Sequence, residues 1–208
     1  MVLINLHDDE NTGVEAAQQL LRQNGGRLIQ LRHDGTRLIS FQLEGTTYTF
    51  DPNRMFTDLG ARLTLEKYGP YSEKALMAVR TFSNEVLDIC DFDHLSLVVT
   101  LHNNSDQGYS LESYAPGAIY ESDAREIHHE SGTDVDDFFF VTDAELFESL
   151  RKKRLNVVLQ DNDNVTDDGS LSVLAGKRGI PYINAEAQEG HLQQQLKMLR
   201  SIYAIYGN

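Results

Sequence analysis

Cysteine is almost missing from this chain: Cys90 is the only one in 208 residues. An intrachain disulfide framework and a thiolate metal cluster are therefore excluded, and any metal must be held by imidazole and carboxylate groups. Basic residues are scarce too, with 18 Lys and Arg against 32 Asp and Glu, and the net charge is −14. A field of that sign repels phosphate backbones and anionic lipid, so neither a nucleic acid nor a membrane is expected as a partner. Long apolar runs are absent as well. No stretch approaches the roughly 20 residues of a membrane span, and the N-terminus lacks the basic and apolar regions of a signal peptide. The sequence opens directly on Val2-Leu3-Ile4-Asn5-Leu6, a buried-strand pattern. The location expected is cytoplasmic, or periplasmic or secreted if a leader precedes this sequence, and the oligomeric state is left open.

What is present is ordinary for a globular protein, 40% hydrophobic and 24% charged residues. The length suits one domain with a sizeable core. Apolar runs alternate with amphipathic stretches from end to end, without repeats or low-complexity segments. That pattern predicts an α/β fold, a single-domain mixed β-sheet flanked by helices over residues 1–208. After the opening strand, Asn11 or Thr12 caps a helix carrying Val14, Ala17, Leu20 and Leu21, and Asn24-Gly25-Gly26 stops it. Runs at 27–31, 37–43 and 46–50, separated by Asp34-Gly35 and Glu44-Gly45, predict an antiparallel meander. Residues 51–69 read as a loop. Ala75, Leu76, Val79, Phe82, Val86 and Ile89 then recur at helical spacing behind a Ser72 cap, and Cys90 at the end of the stripe reads as a packing residue.

A central strand at 95–101 delivers His102 at its C-terminal end, the edge at which open α/β sheets bind ligands. Residues 103–136 form a long polar excursion, functional or mobile. Further strands are expected at 138–141, 156–160 and 182–187, with helices at 143–153 and 191–206. Asp167-Asp168-Gly169-Ser170-Leu171-Ser172 reads as a tight turn opening another element, with a place in the pocket lining as the alternative. His128-His129 between Glu126 and Glu130 reads as a solvated polar face, because adjacent side chains diverge.

His7 and Glu10 stand three apart where the first strand turns into a helix, so both can converge on one point. Imidazole nitrogen and carboxylate oxygen are ordinary zinc ligands, and a third from elsewhere leaves a position open for water. Taken alone, the pair reads equally as a surface histidine beside a glutamate favoured by the helix dipole.

Three further segments follow in order: Asp51-Pro52-Asn53-Arg54-Met55-Phe56, Leu101-His102-Asn103-Asn104, and Tyr182-Ile183-Asn184-Ala185-Glu186-Ala187-Gln188-Glu189-Gly190-His191. Together with His7-Asp8-Asp9-Glu10-Asn11-Thr12-Gly13 they resemble the zinc-carboxypeptidase superfamily, nearest its succinylglutamate desuccinylase and aspartoacylase branch. The signatures of that branch run H-G-N-E-x-x-G, D-L-N-R-x-F, D-L-H-x-T and a late x-x-E-x-G. The resemblance implies a phosphorylase/hydrolase-like α/β/α fold and a Zn2+-dependent hydrolase of an amide bond in an N-acyl amino acid or short peptide. His7, Glu10 and His102 would be the metal ligands and Glu186 the general base, with Glu189 its competitor. Asn53 and Arg54 would clamp a substrate carboxylate, Arg54 through its two-pronged guanidinium. Asn103 and Asn104, and more loosely Tyr109, would line the site beside His102. The partner so implied is a small molecule or peptide with a free carboxylate.

Departures from the family pattern are plain. The branch's second arginine, which helps to stabilise the oxyanion, falls here on Thr46, leaving Arg37 or Arg32 to reach in or the zinc to act alone. The sequence also ends soon after Glu186, without the branch's C-terminal β domain, so that branch's substrate class does not carry over. The alternative expectation is a catalytically inactive metal- or ligand-binding module of the same fold.

Overall fold

The computed structural model describes residues 1–105 and 108–206. In chain order the elements are β1 (Val2–Asn5), α1 (Asn11–Asn24), β2 (Arg27–Gln30), β3 (Ile39–Leu43), β4 (Thr46–Phe50), α2 (Asp58–Tyr68), α3 (Glu73–Cys90) and β5 (Val98–Asn104). The second half adds β6 (Ala124–His128), β7 (Phe138–Val141), α4 (Ala144–Lys152), β8 (Val157–Gln160), α5 (Leu171–Arg178), β9 (Tyr182–Gln188) and α6 (Leu192–Tyr206). One mixed sheet runs in the order β2-β1-β5-β9-β7-β8-β6, and β3 and β4 form a separate hairpin. β2, β1, β5 and β9 are parallel; β7 is antiparallel to β9 and parallel to β8; β6 closes the edge antiparallel to β8. This is the α/β architecture, a mixed sheet flanked by helices, that the alternation of patterns predicts.

Side chains alternate across the sheet, and each side builds its own core. Leu3, Val99, Leu101, Phe139, Ile183 and Ala185 pack with α1, α4 and α6. Ile4, Val98 and Tyr182 face the other way, toward the hairpin, α2, α3 and α5. On this second side the apolar series stops short of the strand ends. Thr100 and His102 follow Val98 along β5, and Asn184 and Glu186 follow Tyr182 along β9, all of them buried. The two-residue period thus places polar groups at the carboxyl edge of a sheet that is otherwise apolar.

Several expected elements come out differently. Residues 27–50 are not a meander. β2 pairs parallel with β1, because α1 supplies the helical crossover that a parallel neighbour needs. The Asp34-Gly35 segment is no hairpin turn: the Asp8 carboxylate accepts from the His33 and Gly35 amides at 2.7 and 2.9 Å and pins that loop to the end of β1. Only Glu44-Gly45, with both φ values positive at 51° and 80°, makes the expected tight turn. Residues 51–69 hold α2, capped by Thr57, whose Oγ1 accepts from the Gly60 amide. Exposed Leu59 and Leu63 on that helix blur the apolar stripe, which only Ala61 and Leu65 extend into the core.

Neither Asn11 nor Thr12 caps α1, which starts without a side-chain cap; the Thr12 hydroxyl accepts instead from the Gly190 amide. In α3, Ser72 is the cap as expected, but Ile89 is 64% exposed while Ser83 and Cys90 turn inward. The Cys90 thiol is pushed up to about 11 by burial. The 103–136 excursion carries short 3-10 turns at Leu111–Tyr114 and Glu121–Asp123 before β6, and residues 106–107 of it lie outside the described residues. Among the described residues no helix is long and apolar enough to cross a membrane.

Candidate metal centre and substrate cavity

β1 ends at Asn5, and the chain turns so that the Glu10 amide donates to the His7 carbonyl at 3.3 Å. That turn swings His7 and Glu10 to the same point. β5, hydrogen-bonded beside β1, brings His102 there from the other side, and the ligand-type atoms of His7, Glu10 and His102 all lie within 4.8 Å of one another. Each imidazole meets a different oxygen of one carboxylate: His7 Nδ1 lies 2.8 Å from Glu10 Oε1, and His102 Nδ1 lies 2.9 Å from Glu10 Oε2. The rings stand edge to face with centroids 5.1 Å apart. Behind His7, its Nε2 lies 2.8 Å from Asp51 Oδ1, so both nitrogens of that ring face carboxylates. His102 Nε2 is buried without a partner.

Electrostatics follow from this crowding. Burial pulls His7 toward the neutral ring, but the Glu10 and Asp51 carboxylates outweigh it and raise its pKa to about 9. His102 has only Glu10, and burial wins, so its pKa falls below the ordinary histidine value. Glu10 and Asp51 are both held below the usual carboxylate range, burial being overcome by the imidazoles and, for Asp51, by Arg54 and Arg37 as well. Opposite His102 in the β5–β9 register stands Glu186. Its carboxyl is pushed up to about 8, first by burial and then by the negative charge of Glu10. Asn184 Nδ2 donates to Glu186 Oε2 at 2.9 Å, which leaves Oε1 as its free oxygen.

The donor set fits a metal ion. Two imidazole Nδ1 atoms and one carboxylate converge, and Asp51 holds the far nitrogen of His7, the kind of second partner that fixes a ligating ring. His7, Glu10 and His102 can therefore hold a cation in this buried place.

A cavity of about 460 Å3 opens beside them, lined by Glu10, His102 and Glu186 at one end and by Asn53 and Arg54 farther on. Arg54 is set by a 3-10 turn, Pro52–Arg54, which Asp51 caps by accepting from the Asn53 amide. Its Nη1 donates to the Asn53 carbonyl at 2.8 Å and its Nε faces Asp168 at 3.4 Å. The Asn53 carboxamide oxygen accepts from the Leu171 amide at 3.3 Å, which ties the turn to the start of α5. Arg37 reaches in from the loop before β3, donating from Nη1 to Glu10 Oε1 at 2.8 Å. Thr46 sits in the β3–β4 hairpin instead, paired with Leu43.

Not every candidate residue converges on this cavity in the same way. Asn103 lies on its rim but is fully engaged elsewhere: its oxygen accepts from the Gly13 amide, and its nitrogen donates to the Ala187 carbonyl and to Gln195. Asn104 donates to the Asp136 carbonyl and keeps its own oxygen unpaired. Glu189 lines the mouth on an exposed turn. His128 lies on edge strand β6 near Glu130, away from the cavity. His191 approaches Asp137 at 3.3 Å, and with Asp134 the three make a second, more exposed group of ligand-type side chains. Asp168, Gln160, Tyr114 and Tyr120 also line the cavity; Asp168 does so as the alternative for its turn segment expects, and nothing in the sequence marks the other three.

No protein-family model and no curated protein matches the sequence. Two solved structures are similar over 99% of this chain. One is a candidate metallopeptidase from Shewanella baltica OS155, 13% identical, with 74% of that chain covered and a TM-score of 0.47. The other is a PAC2 family protein from Streptomyces avermitilis MA, 15% identical, with 86% covered and a TM-score of 0.40. At that level of likeness neither says what this chain does.

Proposed function

We propose that this protein is a zinc-dependent hydrolase of an amide bond, acting on an N-acyl amino acid or short peptide that carries a free carboxylate. One observation supports this most: two imidazole Nδ1 atoms meet the two oxygens of buried Glu10, and a buried glutamate of raised pKa stands in register with one of those imidazoles in the same cavity. His7, Glu10 and His102 would hold the ion, nitrogen and oxygen ligands of the kind zinc takes. Zinc held there supplies Lewis acidity toward an amide carbonyl and lowers the pKa of water.

The chain's own residues do the rest. Asn53 and Arg54 hold the substrate carboxylate, and Arg54 with the metal locally reverses a field that is otherwise negative over the molecule. Glu186 Oε1 takes the proton from the attacking water and later gives it to the leaving amine; burial, which raises its pKa above the usual carboxylate range, suits a group that must do both. Arg37, which lines the cavity and donates to Glu10 Oε1, is the arginine that would stabilise the carbonyl oxygen on which negative charge develops.

The test is hydrolysis of a panel of N-acyl amino acids and muropeptide fragments by zinc-loaded and chelator-treated protein. Turnover is expected only in the loaded form. Glu186→Gln, which keeps size but cannot accept the proton, should lower kcat by about 10²-fold or more with zinc still bound. Near-normal turnover of that variant would remove Glu186 as the base and bring Glu189 forward. Zinc bound at His7, Glu10 and His102 with no turnover on any substrate would point to a binding module instead.

A further inference from the structure

Past the Arg54 end, the cavity runs on along the same face of the sheet under β7 and β8, and its lining changes character. Asn184 on β9 pairs with Phe140 on β7, Phe140 with Val158 on β8, and Gln160 lies two residues beyond Val158, so all four side chains share one face. The only basic side chains lining the cavity among the described residues are Arg37, Arg54 and His102, all at the metal or clamp end. The far end has the Asp123 carboxylate, next to Ala124, which pairs with Gln160, and the Gln160 amide oxygen; Asp168 stays with Arg54 at the clamp.

That oxygen is oriented by the fold. Asn162 Nδ2 donates to the Thr142 carbonyl at 2.9 Å, which turns its oxygen toward Gln160. Gln160 Nε2 then donates to Asn162 Oδ1 at 2.9 Å and to the Ser172 carbonyl at 3.3 Å. Its nitrogen is thus committed, and Gln160 Oε1, in a residue only 1% exposed, has no donor. Gly176 of α5 leaves room for this relay, since a Cβ there would stand 2.7 Å from Asn162 Oδ1 and 2.8 Å from Gln160 Nε2. Asn184 is in the same condition: its nitrogen serves Glu186 and its buried oxygen has no donor. A buried acceptor left unpaired costs about 1–3 kcal/mol, and a ligand that donates to it recovers that cost. Aromatic rings wall the same region. Tyr114 stacks on Phe140 with centroids 5.1 Å apart and shares a hydroxyl hydrogen bond with Tyr109.

We infer that this end takes a side chain terminating in a primary ammonium, so that the residue carrying the free carboxylate is a basic, diamino-type amino acid. An ammonium donates three hydrogen bonds, is attracted by Asp123 and tolerates aromatic faces. An apolar side chain would leave Gln160 Oε1 unpaired, and an acidic one would meet Asp123. This inference rests on the proposed hydrolase, of which it names the substrate class.

Calorimetric titration of lysine and of norleucine, which replaces the ammonium by a methyl, reads the pocket without chemistry. Hydrolysis of N-acyl dipeptides ending in either residue reads it with chemistry. Lysine is expected to be favoured at least tenfold in both, and Gln160→Met should narrow that ratio severalfold. If Gln160→Met does not fold, Asp123→Asn, which still accepts from Thr166, should narrow it in the same way. Equal binding and equal hydrolysis, a preference for a C-terminal glutamate, or a ratio that folded variants leave unchanged would overturn the inference and leave the hydrolase standing. Lysine bound over norleucine with no hydrolysis would overturn the hydrolase and keep the ammonium site. Binding of neither would overturn the inference outright.

Discussion

Glu186 is the side chain whose titration has the largest reach, because it is a buried acid with no cationic partner in contact. Its folded pKa near 8 lies above the ordinary 4.5. Between those values the folded state holds a proton that the unfolded chain has released, so this group's contribution to stability declines as pH rises through the window. In chelator-treated protein, Glu186→Gln should therefore match the parent near pH 5 and become the more stable of the two by pH 8 to 9. Denaturant melts at three pH values check this, and a difference that does not change with pH would show that Glu186 ionises normally. Arg54 supplies the other residue-scale prediction. Its Nε is turned toward Asp168 and its Nη1 donates to the Asn53 carbonyl, which leaves Nη2 and the second Nη1 hydrogen for a ligand. Arg54→Lys keeps the charge and loses the fork, so kcat/KM for substrates with a free carboxylate should fall about tenfold or more, with amidated analogues much less affected. Equal losses on both would contradict the clamp.

At the scale of elements, one close backbone contact holds the cavity wall in place. Gly169, in the loop before α5, has φ at +81°, and a Cβ on it would stand 2.3 Å from the Arg54 carbonyl oxygen and 2.6 Å from Gly60 Cα at the start of α2. The Phe56 amide donates to the Gly169 carbonyl at 2.9 Å, so loop and helix are joined at the level of Arg54. This contact carries Asp168 to the guanidinium. Gly169→Ala adds a left-handed strain of about 1–2 kcal/mol to a clash that neither backbone can relieve cheaply. It should destabilise the protein by more than about 2 kcal/mol and raise KM for carboxylate substrates while zinc affinity holds. Gly132→Ala is the matched control, with φ at +80° and nothing within 4 Å of the added carbon, and should show the strain alone. Similar losses in melting temperature for the two would mean that the Gly60–Gly169 contact is not tight.

For the molecule as a whole, the metal is the expected source of extra stability. Two ligands from the turn after β1 and one from β5 converge only when the sheet is formed, so an ion that binds them binds the folded state. At a free zinc concentration a thousandfold above Kd, linkage gives about 4 kcal/mol, which for a chain of this size is a rise in Tm of about 10 °C. His102→Ala should abolish the rise and the stoichiometric metal with it. An unchanged Tm on adding zinc to chelated protein, or one zinc per chain in the variant, would remove the proposed centre. The −14 charge makes the same point on a larger scale, since only a cation and the few inward arginines make this cavity hospitable to an acid.

Local pattern was enough for much of this protein. The strand runs of β5 and β9, the helical spacing and Ser72 cap of α3, and the residue types at His7, Glu10, His102 and Glu186 are all legible along the chain, because each depends on neighbours a few residues away. Tertiary structure decided the rest. Whether residues 27–30 join β1 in parallel or fold back on 37–43 depends on how α1 packs across the sheet. The helix at 58–68 carries too weak a stripe to announce itself and is held by Thr57 and the β4 contacts. Asp51 behind His7, Arg37 on Glu10 and the buried oxygen of Gln160 belong to segments far apart in sequence. No periodicity records such encounters. They arise from the order in which strands pair, and that order is set by the burial of two opposite sheet faces.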